Sequence, residues 1–528
     1  MESFNTVCNL CSIGCTIGLT KENDVVHSVA GKPGLINSSG VYCEYPEQVY
    51  IKLRKKERII KPLIREDNNF KPISWEAAFD LLKVKVTEGM PEEKAFFAGA
   101  RLTNEEQYLI QKLCRVGAYS NDIGSFHYLG RGTGYTKLSK ANTPFFELSE
   151  AKRIIIIGAE VTSDYPVAGH FIFENATEMG IPVEVVTNNP YSVMIEKSEK
   201  HIVVDSYFHF IKAVNHYLLT NELQDHVYIN NLVDNFTEFN NEVLGLDYEE
   251  LIEKAGCERN LIEEFALRYL NEPNAVIVFS ENQLSSNTCG EIFNLALITG
   301  KHGRRGAGLL LLKEKNNSHG LHDMGAMSNL SPGATSWEDP FQRNTVQLTW
   351  GSKELPSYIP DMFEKFVNGN YRSLFIFGED PVGCAYDEEE MKALIKKSDF
   401  VMVQDHFLTD TTQLADLVLP ASFPFETGGT FTNSQRVIQK IDRGTECPLQ
   451  FNSWQQINEI LTRIGFASFD SVIDITFEMA ALLPKFCTSS KLNFRMHNSD
   501  NQKNLFRFGC DALFGLTSKQ SVVPVKKA

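Results

Sequence analysis

Three cysteines fall within one short stretch, Cys8-Asn9-Leu10-Cys11-Ser12-Ile13-Gly14-Cys15, and a fourth, Cys43, follows after a spacer of 27 residues. A chain that must bring four thiolates together has little freedom at its N-terminus. The first three have to wrap one side of a common site on one loop, and the turn Ser39-Gly40-Val41-Tyr42-Cys43 has to close the other side. Four thiolates are what a [4Fe–4S] cube requires, one per iron. Zinc also accepts four cysteines, but usually from two short hairpins that each supply a pair. The three-plus-one grouping therefore favours an iron–sulfur cluster over zinc, with unligated thiols as a third reading. Gly14, Gly18 and Gly40 are expected to let the backbone bend tightly near the sulfurs.

The other cysteines, Cys114, Cys257, Cys289, Cys384, Cys447, Cys487 and Cys510, are scattered and odd in number. They read as buried or free thiols in a reducing compartment rather than a disulfide framework. The chain opens Met1-Glu2-Ser3-Phe4, with no basic leader, apolar leader segment or twin arginine. Its most apolar runs, Arg153–Gly158 and Leu309–Leu312, are too short to span a bilayer. The expected location is the cytoplasm, or the cytoplasmic face of a larger assembly, without direct membrane insertion. The net charge of −16 over 528 residues argues against nucleic acid as the main partner, because phosphate binding needs basic patches.

Beyond the cysteines, strand and helix signals alternate. Val25–Val29 alternates as a short strand, and Arg54-Lys55-Lys56-Glu57-Arg58 reads as a solvated charged face. Ser74 is placed to cap a helix whose Phe79 and Leu82 face inward. Ala95–Ala100 reads as a buried strand, and the turn Arg101-Leu102-Thr103-Asn104 leads into a helix from Glu105 to about Val116. Further strands are expected at 154–158, 183–186, 275–279, 374–377, 401–403 and 417–419, with a helix over 168–179. This alternation predicts an α/β chain with doubly wound layers and parallel sheets. Ligands in such folds lie beyond the C-terminal ends of the strands.

Four loops there carry turn chemistry and polar side chains: Gly158–Asp164, Gly378–Pro381, Gln404–Asp410 and Glu426–Asn433. Backbone amides at such turns suit phosphate or pyrophosphate, although each loop alone also reads as ordinary turn residues. In Lys315–Gly325, His319 and His322 stand at helical spacing for a metal pair, but no third ligand is evident nearby. Polar residues facing a cleft are the preferred reading. Cys114 reads as a core thiol, and the tail Gln520–Ala528 as frayed or partner-bound.

Taken together, the motifs resemble the molybdopterin oxidoreductase family, which includes formate dehydrogenases and the large iron–sulfur subunit of respiratory complex I. Cys8, Cys11, Cys15 and Cys43 are similar to the family's N-terminal cluster motif. Arg58–Arg65 followed by Ile73–Ala78 resembles the entry to its second domain. Asn316-Asn317, Gly320 and Asp323–Ala326 resemble a cofactor-side loop of formate dehydrogenases. Gln404–Ala421, with Thr409 and Asp410, and Glu426–Arg436, with Asn433, match as well.

The resemblance implies a small N-terminal [4Fe–4S] domain followed by two interleaved Rossmann-like doubly wound α/β domains. The expected division is 1–60 for the cluster domain, 61–140 plus 335–465 for one α/β domain and 141–334 for the other. Residues 466–528 form a C-terminal extension where the family's β-barrel domain would otherwise begin. In active members two pyranopterin guanine dinucleotides hold molybdenum or tungsten. Asn317, Asp323, Thr409, Asp410, Asn433 and Arg436 are the residues that would bind such a cofactor if one is retained.

Several positions depart from that pattern. Active formate dehydrogenases give the metal a cysteine or selenocysteine, followed by histidine. Here Asn121–Gly132 contains no cysteine, which leaves Asp122 and Ser125 as remote substitutes. A lysine usually follows the fourth cluster cysteine, and here Glu44-Tyr45-Pro46 does. Asn188-Asn189-Pro190 stands where relatives often carry Asp-Pro-Arg. The expected function is therefore an electron-transfer subunit of a multi-subunit oxidoreductase. It keeps one [4Fe–4S] cluster and has lost molybdenum–pterin catalysis. Its partners would be flavin- and NADH-binding or ferredoxin-like iron–sulfur subunits. Two alternatives stand beside it: a catalytic molybdenum or tungsten formate dehydrogenase-type subunit with its terminal domain supplied in trans, and a non-redox scaffold.

Overall fold

The computed structural model describes residues 1–22, 25–53, 56–67, 69–132, 143–483, 492–500 and 525–526. The N-terminal segment folds as an antiparallel sheet of Glu2–Val7, Thr16–Glu22 and Val25–Gly31. The cysteine loop is the connection between its first two strands. Helix Tyr45–Leu53 packs on the third strand. Gly18 does not serve a bend: it lies mid-strand, opposite Asn5 and Ala30. Gly14 and Gly40 do make turns, each at φ +75°.

Among the described residues, a seven-stranded sheet runs in the order Asn69–Pro72, Leu63–Glu66, Leu417–Pro420, Phe400–Asp405, Ser373–Phe377, Lys94–Ala98, Ile123–Gly124. The last five are parallel, and the first two form an antiparallel edge. A second sheet of five parallel strands runs Lys200–Val203, Val183–Thr187, Arg153–Ile157, Ala275–Ser280, Gly308–Leu312. Central strands of both sheets are buried apolar runs with polar residues only at or near their ends, such as Lys94, Ser373 and Gln404-Asp405, as expected where both faces are covered. Ile154–Ile157 are fully buried, each contributing roughly 1.5–3 kcal/mol of transfer free energy. Phe96 stacks on Phe375 across neighbouring strands at 4.5 Å.

The expected elements form close to their expected places. Ser74 caps Trp75–Thr87 by accepting the Ala77 amide, with Phe79 and Leu82 buried. The next helix starts earlier than expected, at Asn104. Thr103 and Glu106 form a reciprocal cap there, and the last turn widens to a π-turn over Leu113–Gly117. Its polar residues are buried rather than exposed. They are satisfied by neighbouring elements: Glu105 accepts from the Thr430 amide at 2.8 Å, and Tyr108 and Lys112 both donate to Glu478 at 2.6 Å.

Arg54 and Lys55 of the charged run lie outside the described residues, as do Cys487 and Cys510. So does most of the tail, but Val525–Lys526 pairs antiparallel with Tyr42–Cys43 within the chain. No helix among the described residues is long and apolar enough to cross a membrane.

Candidate functional site

The cysteine loop closes on itself through the Cys8 amide, which donates to the Cys15 carbonyl at 2.8 Å. Distant residues dock its far side. Gln439 donates to the Gly14 carbonyl at 2.7 Å, Asn433 to the Ile13 carbonyl at 3.4 Å, and the Ser434 amide to the Ser12 carbonyl at 2.8 Å. Ser12 in turn donates to the Lys313 carbonyl, joining the loop to the five-stranded sheet. Buried Asn37 bonds the backbone of Thr16, Lys32 and Val41 and so sets the approach of the second segment.

Cys8 and Cys15 are buried, and Cys11 and Cys43 partly so, all as free thiols. Burial, and then the neighbouring Cys11 and Cys43 sulfurs, push the Cys8 and Cys15 thiols well up. Burial pushes Cys43 up to about 12, and Glu44 adds to it. Four thiols close enough to oppose one another's ionisation form the donor set a cationic centre stabilises, since binding requires thiolates. Among the described residues, no three His, Cys, Asp or Glu side chains meet as the shell of a single metal ion. A cube bonds each sulfur to a different iron, so it needs no such shell.

Arg101 stands next to the loop, in the turn that leaves strand Lys94–Ala98. Its guanidinium donates to the Leu10 carbonyl at 3.2 Å. Burial works against its charge, while Glu314, Cys384, Cys11 and Cys8 favour it. A cation thus lies beside the cysteines, on a different element from the lysine the family pattern would place after Cys43. Its position at the C-terminal end of a parallel strand was the available signal.

Behind Arg101 lies a buried charge network. Tyr128 donates to Glu281 at 2.9 Å, Lys313 pairs with Glu281 at 3.4 Å, and Lys315 pairs with Glu314 at 2.5 Å. His127 lies 3.5 Å from both carboxylates, and Arg131 is 3.1 Å from its Nε2. Burial holds His127 below the usual histidine range. Burial opposes the charge of Glu281, but Lys313, His127 and Arg131 outweigh it and hold this carboxyl well below its ordinary value. Ser125 donates to Glu379, and the Phe126 amide donates to the same carboxylate at 3.0 Å. Phe126 stacks on Phe97 at 3.8 Å. Asp122 points elsewhere, into an ion pair with Lys365 at 2.8 Å. Cys114 is fully buried and donates to the Ser120 carbonyl.

Asn317 donates to the Leu102 carbonyl and accepts from the Thr432 amide. Asn433 accepts from the Gln435 and Val437 amides and donates to Ile13 and Gln439. Thr409 closes a turn with Thr412. Asp410 is exposed. Asp323 and Arg436 do come together, at 3.9 Å. Next to Asn317, buried Asn316 has no partner for its Oδ1 or Nδ2 among the described residues. His319 and His322 are buried and held below the usual range. The His322 Nδ1 is 2.8 Å from the Ser318 carbonyl, so that side of the ring is occupied. Of the four loops, Gly378–Pro381 and Gln404–Asp410 meet through Asp380, which accepts from Thr411 at 2.6 Å.

A family model described as molybdopterin oxidoreductase matches residues 58–463. The chain belongs to the molybdopterin oxidoreductase family. It is 28% identical over 509 residues to the alpha subunit of F420-dependent formate dehydrogenase 2 of Methanococcus maripaludis, covering 92% of this chain and 74% of that one. It is 28% identical over 503 residues to the corresponding F420-dependent subunit of Methanocaldococcus jannaschii, at 91% and 74% coverage. The probable oxidoreductase YjgC of Bacillus subtilis is 28% identical over 526 residues, but only 53% of that longer chain is covered. Among solved structures, acetylene hydratase from Pelobacter acetylenicus superposes with a TM-score of 0.64 at 17% identity, over 87% of this chain and 69% of that one. This likeness supports the molybdopterin oxidoreductase fold.

Proposed function

We propose that the chain is the iron–sulfur subunit of a formate dehydrogenase-like, multi-subunit oxidoreductase. One [4Fe–4S] cluster would be held by Cys8, Cys11, Cys15 and Cys43. The observation that carries this reading is the loop itself: four mutually opposed thiols, docked by Gln439, Asn433 and Ser434, with a guanidinium alongside. Such a cluster takes up and releases one electron at a time. The protein's part is to bury the thiolates, supply hydrogen bonds and set the local charge. Partners would be other redox subunits, as the name "subunit alpha" implies for the relatives. The division into a cluster domain at 1–60, α/β domains at 61–140 plus 335–465 and 141–334, and an extension at 466–528 belongs to the same reading.

Loss of molybdenum–pterin catalysis is the second part of the proposal. Phe126 and Ser125 precede His127 where a metal-ligating side chain would be needed, and Ser125 is engaged with Glu379. Asn317, Thr409 and Asn433 spend their polar atoms inside the protein. A catalytic reading is favoured by two features, the Asp323–Arg436 pair and the unpartnered buried Asn316 amide. In that case those three would hold the pterin's polar groups, and the bound metal would supply the redox chemistry on formate or carbon dioxide.

Elemental mass spectrometry for iron, molybdenum, tungsten and zinc on anaerobically purified protein separates the readings. About four irons per chain without molybdenum or tungsten is expected. One molybdenum or tungsten per chain would sink the loss of catalysis, and zinc without iron would sink the cluster.

A further inference from the structure

Away from the cysteine loop, the helices Tyr207–Thr220, Phe236–Leu244 and Ser286–Ile298 form a groove, and the segment Leu492–Asp500 lies along it. Its backbone is gripped almost throughout. The Leu492 amide donates to the Leu232 carbonyl at 2.7 Å, and the Leu492 carbonyl accepts from the Asp234 amide at 3.0 Å. Asn235 bonds both the amide and the carbonyl of Phe494, at 2.8 and 2.9 Å. Asn294 does the same for Arg495, at 3.3 and 2.9 Å. The His497 amide donates to Glu291, the His497 carbonyl accepts from Lys212, and the Ser499 carbonyl accepts from Asn287 at 2.7 Å. Successive residues of an extended chain turn their amide and carbonyl to opposite edges. Asn235 and Asn294 therefore hold the segment from its two sides.

Three side chains give the segment its register. Phe494 is buried and stacks on Phe239 at 4.3 Å, 8° from parallel. His497 is buried against Gly290, where an added Cβ would collide with the imidazole. Glycine weakens a helix interior, and here it makes the seat for that ring. Asp500 ends the segment at the first turn of Ser286–Ile298. The Ser285 and Thr288 hydroxyls donate to its carboxylate there, and the helix dipole favours its charge.

Main-chain hydrogen bonds give a peptide site its affinity, and side-chain pockets give it specificity. We propose that this groove is a peptide-recognition site. It takes an extended segment that carries an aromatic ring, an imidazole three residues on and a carboxylate three residues further. Leu492–Asp500 is its occupant in cis, and a segment of the same pattern can replace it. Asn294 and Glu291 are buried, so an empty groove would leave polar groups short of partners, which favours refilling. Helix Val472–Leu482 packs on Asn104–Lys112 beside the seven-stranded sheet, so the filled groove also ties the two sheets' surroundings together. The assignment is independent of what the cysteines bind.

The test uses the full-length protein and a fluorescein-labelled peptide, Leu-Asn-Phe-Arg-Met-His-Asn-Ser-Asp. Phe494→Asp and Arg495→Pro each unseat the resident segment without altering the groove, and whichever variant unfolds cooperatively serves. Fluorescence anisotropy should show saturable 1:1 binding to the unseated variant. Binding to wild type, whose groove is filled, should be at least about tenfold weaker. Adding Gly290→Val, which fills the His497 seat, should weaken the peptide at least about tenfold, and so should Phe494→Ala in the peptide. Hydrogen exchange of the wild-type protein needs no variant: the Phe494, Arg495 and His497 amides should exchange at least about a hundredfold more slowly than in the free peptide. No binding to the unseated variant, equal affinity for wild type, unchanged affinity with Gly290→Val or with the altered peptide, or exchange at free-peptide rates would overturn the assignment.

Discussion

Gln439 donates its side-chain amide to the carbonyl of Gly14 at 2.7 Å, and a Cβ placed on Gly14 would fall 2.0 Å from the same side chain's oxygen. The hairpin Gly429–Thr432/Ile438–Ile441 therefore reads the cysteine loop by contact with its backbone. That contact requires the residue before Cys15 to have no side chain. The φ of +75° adds a second demand for glycine.

Gly14→Ala should displace Gln439 and strain the turn together. The backbone strain alone costs roughly 1–3 kcal/mol. Iron per chain after anaerobic gel filtration should fall to a small fraction of the wild-type value. Gln439→Ala should be milder, since it removes the hydrogen bond but not the turn. Iron retention equal to wild type in Gly14→Ala would show that the loop does not hold the cluster.

Asn433 distinguishes a structural role from a ligand role. Its side chain makes four hydrogen bonds within the protein. Asn433→Ala should therefore lower the stability of the protein, with or without cofactor, by roughly 2–3 kcal/mol, because it leaves buried amides unpaired. Denaturant unfolding measures this directly. An unchanged midpoint would mean that these bonds are not formed and that the residue is available to a ligand.

Arg101 places a positive charge beside Cys8 and Cys11. Reduction would add an electron to the proposed cluster, so a nearby cation would raise its potential. Arg101→Gln should make the midpoint more negative by tens of millivolts, as expected for a unit charge within about 10 Å at an effective dielectric constant of about 20. Arg101→Lys should restore most of the shift. Redox titration monitored by electron paramagnetic resonance gives both values.

Burial pushes the Glu379 carboxyl up to about 7, against an ordinary 4.5, despite bonds from Ser125 and the Phe126 amide. The folded state then holds this proton more tightly than the unfolded chain does. Stability from this group is full below the unfolded value and is lost as pH rises towards 7, by roughly 3 kcal/mol at most. Glu379→Gln can still accept from Phe126 and donate to Ser125. It should match wild type near pH 5 and exceed it near pH 8. Parallel pH profiles of the two proteins would refute this assignment.

The strands were legible because the middles of the central strands are buried apolar runs, as in Ile154–Ile157 and Leu374–Phe377. Helix Asn104–Lys112 shows where that reading stops. Its Glu105, Gln107 and Lys112 look like surface residues, and they are buried only because Thr430, Gly99 and Glu478 arrive from elsewhere to satisfy them. The cysteine loop was legible from spacing alone. Arg101 was not, because its neighbours Leu10 and Glu314 lie far off in the chain. Asn317 and Asn433 were picked out by family resemblance, and their local sequence gave no hint that they face inward.

The loop and its clamp are made at very different moments. Gly14 and Gln439 are 425 residues apart. At roughly 5–20 residues per second, a ribosome would need about 20–80 s to travel between them. Through that interval Cys8, Cys11 and Cys15 are out of the ribosome while the hairpin that shapes them does not yet exist. On the proposed cluster reading, metal loaded so early would meet an unformed receptor, and delivery of iron would wait for the second half of the polypeptide.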